Sequence, residues 1–309
     1  MSIKISIVIP IFNSEDYLNE TLQSVFDQSY TNWECFIIDD GSTDNSSKIA
    51  HAWLDKSKQF SYHRRPENMP KGANACRNYG ATLSTAEYVI FLDADDLLDK
   101  NCLASRVKWI EEKSFDLLIF RTLKFDGIPD YEVKPTPQPD LAVDLSYVKD
   151  QFANYNILWS TIACMWSKAY FFEIGGFDEN LQRLQDYELH LRALFSVKES
   201  KVLIFPDRFY DTYYRKSNYH KTINIAKKKV IFANAKYIIE KNNQQELFTL
   251  DKGFYKYLIR RYNVVFEAAD YDFIKPKISD TDFVKLRLVR FTQFSLFLNK
   301  VISKILFTV

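Results

Sequence analysis

Three apolar runs in the first hundred residues, ISIVI at Ile5–Ile9, CFII at Cys35–Ile38 and YVIFL at Tyr88–Leu92, are short and uninterrupted, and polar or acidic residues follow each at once. A run that is apolar at every position reads as a strand covered on both faces. Between the runs lie segments of helical spacing. Tyr17, Leu18, Thr21, Leu22, Val25 and Phe26 form the first, Ile49 and Trp53 mark the second, and Asn74–Leu83 and Leu103–Ile110 follow. Ser61–His63 reads as a short further strand and Phe115–Phe120 as another. Such alternation predicts an α/β fold, a mainly parallel sheet flanked by helices. Ligands of open sheets of this kind bind beyond the carboxyl ends of the strands.

Three strand ends carry chemistry here: Pro10–Asn13, Asp39–Asp40 and Asp93–Asp96. The run YVIFLDADDLLD sets four carboxylates, Asp93, Asp95, Asp96 and Asp99, at the mouth of a buried strand. Burying any of them unpaired costs several kcal/mol, so a positive partner is required. In extended backbone the side chains of Asp93 and Asp95 point the same way. Two hard carboxylates suit Mg²⁺ or Mn²⁺, with a diphosphate completing the coordination. Asp96 and Asp99 read as part of the turn and the next helix start, where negative charge is favourable. Asp39-Asp40-Gly41-Ser42 reads two ways: as a carboxylate accepting from the N3–H of a uracil-like base, or as a helix cap supplied by Ser42, Thr43 or Asp44.

Charge is divided unevenly. From Lys216 onward there are 18 Lys and Arg against 8 Asp and Glu, and before it 23 against 32. An acidic front part suits a metal and a basic tail suits an anionic surface. The four cysteines are scattered with no CxxC pair, which argues against a zinc site or disulfide framework and for a reducing compartment. The N-terminal apolar run lacks a small-residue cleavage site and reads as a strand. No window holds the ~18 uninterrupted apolar residues of a membrane span. The expectation is a cytoplasmic protein, at most peripheral on the inner face of the membrane. Asp126–Asp140, with four prolines, reads as a loop that serves as a lid or edge. The last segment lays Phe294, Phe297, Val301, Ile305 and Leu306 on one side of a basic helix, for lipid or for protein packing. No nucleic-acid motif accompanies its charge.

Three stretches together resemble the family 2 glycosyltransferases: SIVIPIFNSEDYLNETLQSVFDQSYTNWECFIIDDGSTD, RPENMPKGANACRNYGATLSTAEYVIFLDADD and GGFDENLQRLQDYELHLRAL. The resemblance implies a nucleotide-diphosphosugar transferase (GT-A) catalytic domain over residues 1–215, followed by a basic helical region at 216–309. It implies that Pro10 and Phe12 line a base pocket, that Asp40 with Asp39 holds the base, and that Glu15 lies near the nucleotide. Lys71 and Arg77 resemble basic positions facing the base or diphosphate. Asp93 and Ala94 belong to the donor-binding run, Asp93 would touch ribose and metal, and Asp95 would be the principal ligand of Mn²⁺ or Mg²⁺. Asp186 matches the catalytic base of an inverting transfer from a UDP-sugar to a glycan or lipid-linked acceptor in cell-surface polysaccharide synthesis. Glu188 would orient acceptor or structure.

Two departures stand out. Gln185 occupies a place where the family often has Glu. Lys216 and Ser217 follow Arg215 where the family often has a His two residues on, and His220 is either its replacement after a loop shift or a surface residue. Two other readings stay open beside the transferase, a sugar nucleotidyltransferase and a non-catalytic nucleotide-sugar-binding protein. The first lacks a Gly-rich basic loop after the first strand, and the second would not need Asp186.

Overall fold

The computed structural model describes residues 2–129, 144–205, 210–216, 224–262 and 277. The chain divides into two compact units, one of Met1–Lys149 with Ile157–Thr222, the other of Asp150–Asn156 with Ile223–Val309.

In the first unit the order is β1 (Ile5–Ile11), α1 (Leu18–Phe26), β2 (Trp33–Asp39), α2 (Ser46–Lys56), β3 (Phe60–Arg64), α3 (Ala73–Leu83) and β4 (Tyr88–Phe91). Then come β5 (Leu97–Leu98), α4 (Cys102–Glu112), β6 (Leu117–Ile119) and β7 (Arg121–Phe125); helix α5 (Leu145–Ala153) runs across the division. The first unit resumes with β8 (Cys164–Ser167), α6 (Lys168–Glu173), α7 (Gln185–Ser196), β9 (Val202–Ile204) and β10 (Tyr210–Arg215). The main sheet has the order β3-β2-β1-β4-β8-β6-β9, and a small one has β5-β10-β7. β3, β2, β1 and β4 are parallel, and β8 lies antiparallel between β4 and β6. The sheet is therefore mainly parallel, as the alternation predicts. The antiparallel β8 carried no sequence signal, because CMWS is too short to distinguish from its surroundings.

Every residue of β1 is buried. Ile5, Ile7, Ile9 and Ile11 pack into a core with Leu18, Leu22 and Val25 of α1, Trp53 of α2, and Leu103 and Val107 of α4. Val8 and Ile38 point to the opposite face, where α3 crosses so closely that a Cβ on Gly80 would collide with Val8 and lie 3.1 Å from Ile38. β1 also continues past the predicted Ile9, through Pro10, to Ile11. It can do so because its ladder with β4 ends at Val8, paired with Phe91, so Pro10 has no hydrogen bond to lose on that side. On α4, Arg106 is fully buried and grips Asp211 of β10 through two bonds of 2.6 and 3.0 Å.

The second unit contains α8 (Ile225–Gln245) and α9 (Lys252–Tyr262). Asn224 caps α8 by accepting the N–H of Lys227 at 2.9 Å. Phe232, Ala235, Ile238 and Ile239 are buried at helical spacing. Tyr155 stacks on Tyr257 with centroids 4.0 Å apart, and Asn242 brackets Phe248 by accepting its N–H and donating to its C=O. No helix among the described residues is long and apolar enough to cross a membrane. The apolar tail positions from Phe294 onward, His220, and all but the first residues of the proline-rich loop lie outside the described residues.

Candidate active site

The strand order reverses beside β1: α1 leads from β1 to β2 on one flank, while α3 returns the chain to β4 on the other. The crevice beyond the carboxyl ends of β1 and β4 is the position where such sheets hold ligands. Phe12 stands at the end of β1, Asp39 and Asp40 at the end of β2, Arg65 just after β3, and Asp93 just after β4.

At the β1 and β2 ends the loops are laced together. Asn13, at φ +48°, accepts the Thr43 N–H at 2.8 Å, and Glu15 accepts from the Asn45 backbone and side chain at 2.9 and 2.7 Å. Asp44 accepts the Glu15 N–H at 3.1 Å and the Ser46 N–H at 3.0 Å. Helix α2 starts one to three residues later than an Asp44, Thr43 or Ser42 cap would place it, with Asn45 as the flanking residue. Asp39 is 1% exposed, and both of its oxygens are engaged: Oδ1 accepts from Gly41 N, Ser42 N and Ser42 Oγ, and Oδ2 accepts from Tyr62 OH at 2.6 Å. Its carboxylate therefore organises the loop. Asp40 pairs with Arg65 at 2.5 Å, and Arg65 also holds the carbonyls of Pro66 and Met69. Phe12 is 57% exposed, a bare ring at the strand end, while Pro10 is buried behind it. Lys71 is exposed and precedes Gly72, whose φ of +130° opens the start of α3.

Positive partners for the acidic run come from the protein itself. Arg77, 3% exposed, forms an ion pair with Asp93 and lies over the Phe177 ring at 5.0 Å. Burial works against its charge, but Asp93 and Asp186 more than offset this and hold its pKa above the ordinary value. Asp96 is 1% exposed and accepts the backbone N–H of Arg215 at 2.9 Å. The Arg215 guanidinium then reaches the Asp95 carbonyl at 2.9 Å, the Gly127 carbonyl at 3.0 Å and Glu20 at 2.5 Å. Asp96 closes the turn after β4, its N–H donating to the Asp93 carbonyl at 3.1 Å, and its carboxyl lies in the buried floor of the site. Burial, then Asp93 and Asp95, push its carboxyl well above the carboxylate range. Asp99 stays near the helix start, accepting the Asn101 N–H at 2.9 Å. Ala94 is buried and accepts from Thr21 Oγ1 at 2.8 Å.

Asp95 differs from its neighbours. Its carbonyl is used by Arg215, whose charge also acts on its carboxylate, yet burial followed by Asp93 outweighs this and raises its pKa to about 6. A half-buried carboxylate beside a second one is a charge deficit that a divalent cation fits, and one or two carboxylates are what Mg²⁺ or Mn²⁺ takes when phosphates supply the rest. Among the described residues no group of three or more acidic, His or Cys side chains forms a closed metal cage.

On the other side of the site, Asp186 lies in the first turn of α7. Its Oδ1 is sealed from solvent and makes no hydrogen bond of good geometry, with the Thr161 hydroxyl the donor beside the carboxylate. Burial raises its pKa, opposed by the charge of Arg77. Glu188, two residues on, is fully buried and holds Arg192 through two bonds of 2.7 Å, a structural engagement.

The sequence pattern of the family described as "Glycosyl transferase family 2" matches residues 6–174, more than half of the chain. The chain belongs to this family. A curated relative, glycosyltransferase GlyG of Streptococcus pneumoniae serotype 4, is 33% identical over 126 residues, 41% of this chain and 41% of that protein. The chain spans 41%, 33% and 42% of the length of three of the curated relatives it matches. Among solved structures, S. aureus TarS 1–349 in complex with UDP-GlcNAc aligns with a TM-score of 0.59 at 19% identity, covering 92% of this chain and 79% of that one. The mannosyltransferase PcManGT of Pyrobaculum calidifontis, in complex with GDP-Man and Mn²⁺, aligns at 0.54 and 14% identity, covering 94% and 80%. These likenesses show the GT-A fold.

Within this family 2 chain, the structure brings Arg77, Asp93, Asp95 and Asp186 to one end of the sheet, with Phe12, Asp40 and Lys71 along the neighbouring strand ends. Sequence reasoning passed over two residues. Arg65 follows directly after β3, so the strand-end rule applied to a fourth strand would have found it. Arg215 closes an aromatic strand, where a cation buried among tyrosines demands an acidic partner.

Proposed function

We propose that this chain transfers a sugar, with inversion, from a nucleotide-diphosphate donor, a UDP-sugar, to a hydroxyl of a glycan or lipid-linked acceptor in cell-surface polysaccharide synthesis. The observation that carries this reading is Asp186, a buried carboxylate whose Oδ1 makes no hydrogen bond of good geometry and which is electrostatically joined through Arg77 to the acids beyond β4. A buried carboxylate held by so little hydrogen bonding costs stability, and a proton-accepting role explains its retention.

The acceptor hydroxyl gives its proton to Asp186 as its oxygen bonds to the anomeric carbon; the bond to the diphosphate breaks and the electron pair leaves with the diphosphate. Placed in the first turn of α7, Asp186 faces the positive end of the helix dipole, which offsets part of the burial that raises its pKa. Asp95 with Asp93 would hold Mn²⁺ or Mg²⁺, which when bound would supply charge stabilisation for a departing diphosphate. Phe12 offers a ring for the base, Asp40 an acceptor for its N–H, and Lys71 a positive charge toward the nucleotide. Arg77, almost wholly buried, holds Asp93 and serves the diphosphate through it. TarS binds UDP-GlcNAc and PcManGT binds GDP-Man with Mn²⁺, which supports a nucleotide-sugar donor and a divalent cation here. Residues 216–309 form the basic region that carries contact with the membrane surface or a second subunit.

The test is a nucleotide-sugar panel read by thermal shift with Mn²⁺, because a donor that binds the native state raises its melting temperature. A UDP-sugar is expected to stabilise most. Absence of any shift across the panel overturns the reading.

A further inference from the structure

Helix α3 touches both halves of the site. At its middle, Arg77 pairs with Asp93. One turn apart on the same helix, Asn74 and Asn78 reach the strap that runs from Gly175 towards α7. Asn74 Nδ2 donates to the carbonyls of Asp178 and Leu181, both at 2.8 Å. Asn78 Nδ2 donates to the Phe177 carbonyl and to Glu179 Oε1, both at 2.9 Å, while its Oδ1 accepts the Phe177 N–H at 2.9 Å. From the far side, Arg192 of α7 donates to the carbonyls of Ile174 and Gly176, the latter at 2.7 Å. The strap is thus held by α3 on one side and by the helix that carries Asp186 on the other. At Gly176, φ is +62° and an added Cβ would lie 2.8 Å from Asn78 Oδ1, so strap and helix are in contact without slack.

Resting on the reading of Asp186 as base, we propose that Asn78, with Asn74, is a positioning residue that fixes the distance between Asp186 and the acids beyond β4. An amide satisfied on three sides resists both sliding and rotation, because each movement leaves a partly buried donor or acceptor unpaired. In a displacement whose nucleophile and leaving group lie on opposite faces of one carbon, this spacing governs the rate: a shift of about 1 Å costs on the order of a hundredfold. Neither asparagine is required to touch the donor. Its loss therefore moves the chemical step and leaves donor binding in place.

The experiment follows hydrolysis of the UDP-sugar selected by the donor panel, in which water replaces the acceptor hydroxyl and gives its proton to Asp186. Asn78→Ala is expected to lower kcat by about tenfold to a hundredfold. KM, and the affinity for UDP with Mn²⁺ measured by calorimetry, should stay within about twofold, because the interactions shared by ground and transition states are intact. A kcat within about twofold of the parent overturns the proposal. So does a loss of UDP affinity in step with kcat, since that reports general loosening. Gly176→Ala, which forces the strap away from Asn78 while keeping both amides, decides the matter if Asn78→Ala yields no folded protein. It should show the same split between kcat and KM. Asp186→Asn run in parallel separates the two levels. If it retains turnover, the base assignment fails; if it is inactive while Asn78→Ala is fully active, only the positioning role fails.

Discussion

Arg215 donates its backbone N–H to Asp96 and turns its guanidinium onto the carbonyl of Asp95, each at 2.9 Å, across about 120 residues of chain. The acidic run after β4 is thereby pinned from a strand that the chain builds much later. The buried Arg215 guanidinium also reaches Glu20, whose side chain is 49% exposed, and it rests on Tyr17 and Phe125, with ring centroids at 4.7 and 4.5 Å.

Arg215→Ala should therefore destabilise the protein by about 3 kcal/mol, because it strips a buried acidic loop of its cation. Glu20→Gln removes only the solvent-facing partner and should cost no more than about 1 kcal/mol. Urea denaturation of the two variants checks the contrast, and equal losses would refute it.

Asp186→Asn should retain donor binding and lose about a hundredfold to ten-thousandfold in kcat, the range a positioned base contributes. Because burial raises the Asp186 pKa, activity should fall on acidification at a pH above that of an ordinary carboxylate. A pH–rate profile of the parent enzyme measures this directly, and an acidic limb at the usual carboxylate pH would refute it.

Asp95 sets a pH dependence of stability. Its folded pKa, raised to about 6, lies above the unfolded value of 3.8, so the folded chain binds the proton more tightly. The stability it contributes is complete below about pH 4 and is lost as pH rises through 6. At pH 7, Mn²⁺ at about 100 times its Kd should add about 2.7 kcal/mol, and Asp95→Asn should abolish that gain. Melting temperatures across pH with and without Mn²⁺ test both statements.

His190 works in the opposite direction. Burial lowers its pKa to about 3 against an unfolded 6.5, and its ring stacks on Trp166 at 6.1 Å. The stability linked to it is present above 6.5 and falls as pH drops towards 3, by about 1.4 kcal/mol per pH unit for one proton. His190→Phe keeps a ring in the slot and should flatten acid denaturation over that window by one proton.

The sheet was legible because its strands are apolar on both faces, so Ile5–Ile9, Cys35–Ile38 and Tyr88–Leu92 leave no other reading. The end of β1 was harder, since only the register with β4 reveals that Pro10 hangs beyond the ladder. Asp93 and Asp95 could be picked out by their alternation. What could not be read was who balances the charge: Arg77 comes from a preceding helix and Arg215 from a strand about 120 residues later, and proximity of that kind is a product of topology. Asp39 and Asp40 are adjacent in sequence, yet one is consumed by Gly41, Ser42 and Tyr62 and the other faces Arg65. Adjacent letters with different duties are separated only by hydrogen-bond geometry.

The mutual lacing of the loops after β1 and β2, Asn13 to Thr43, Glu15 to Asn45 and Asp44 back to Glu15, has a thermodynamic outcome. A ligand seated against Phe12 meets backbone that folding has already frozen, so little further conformational entropy is lost there on association. Heat released at that end should then report contacts made, with scarcely any contribution from segments becoming ordered.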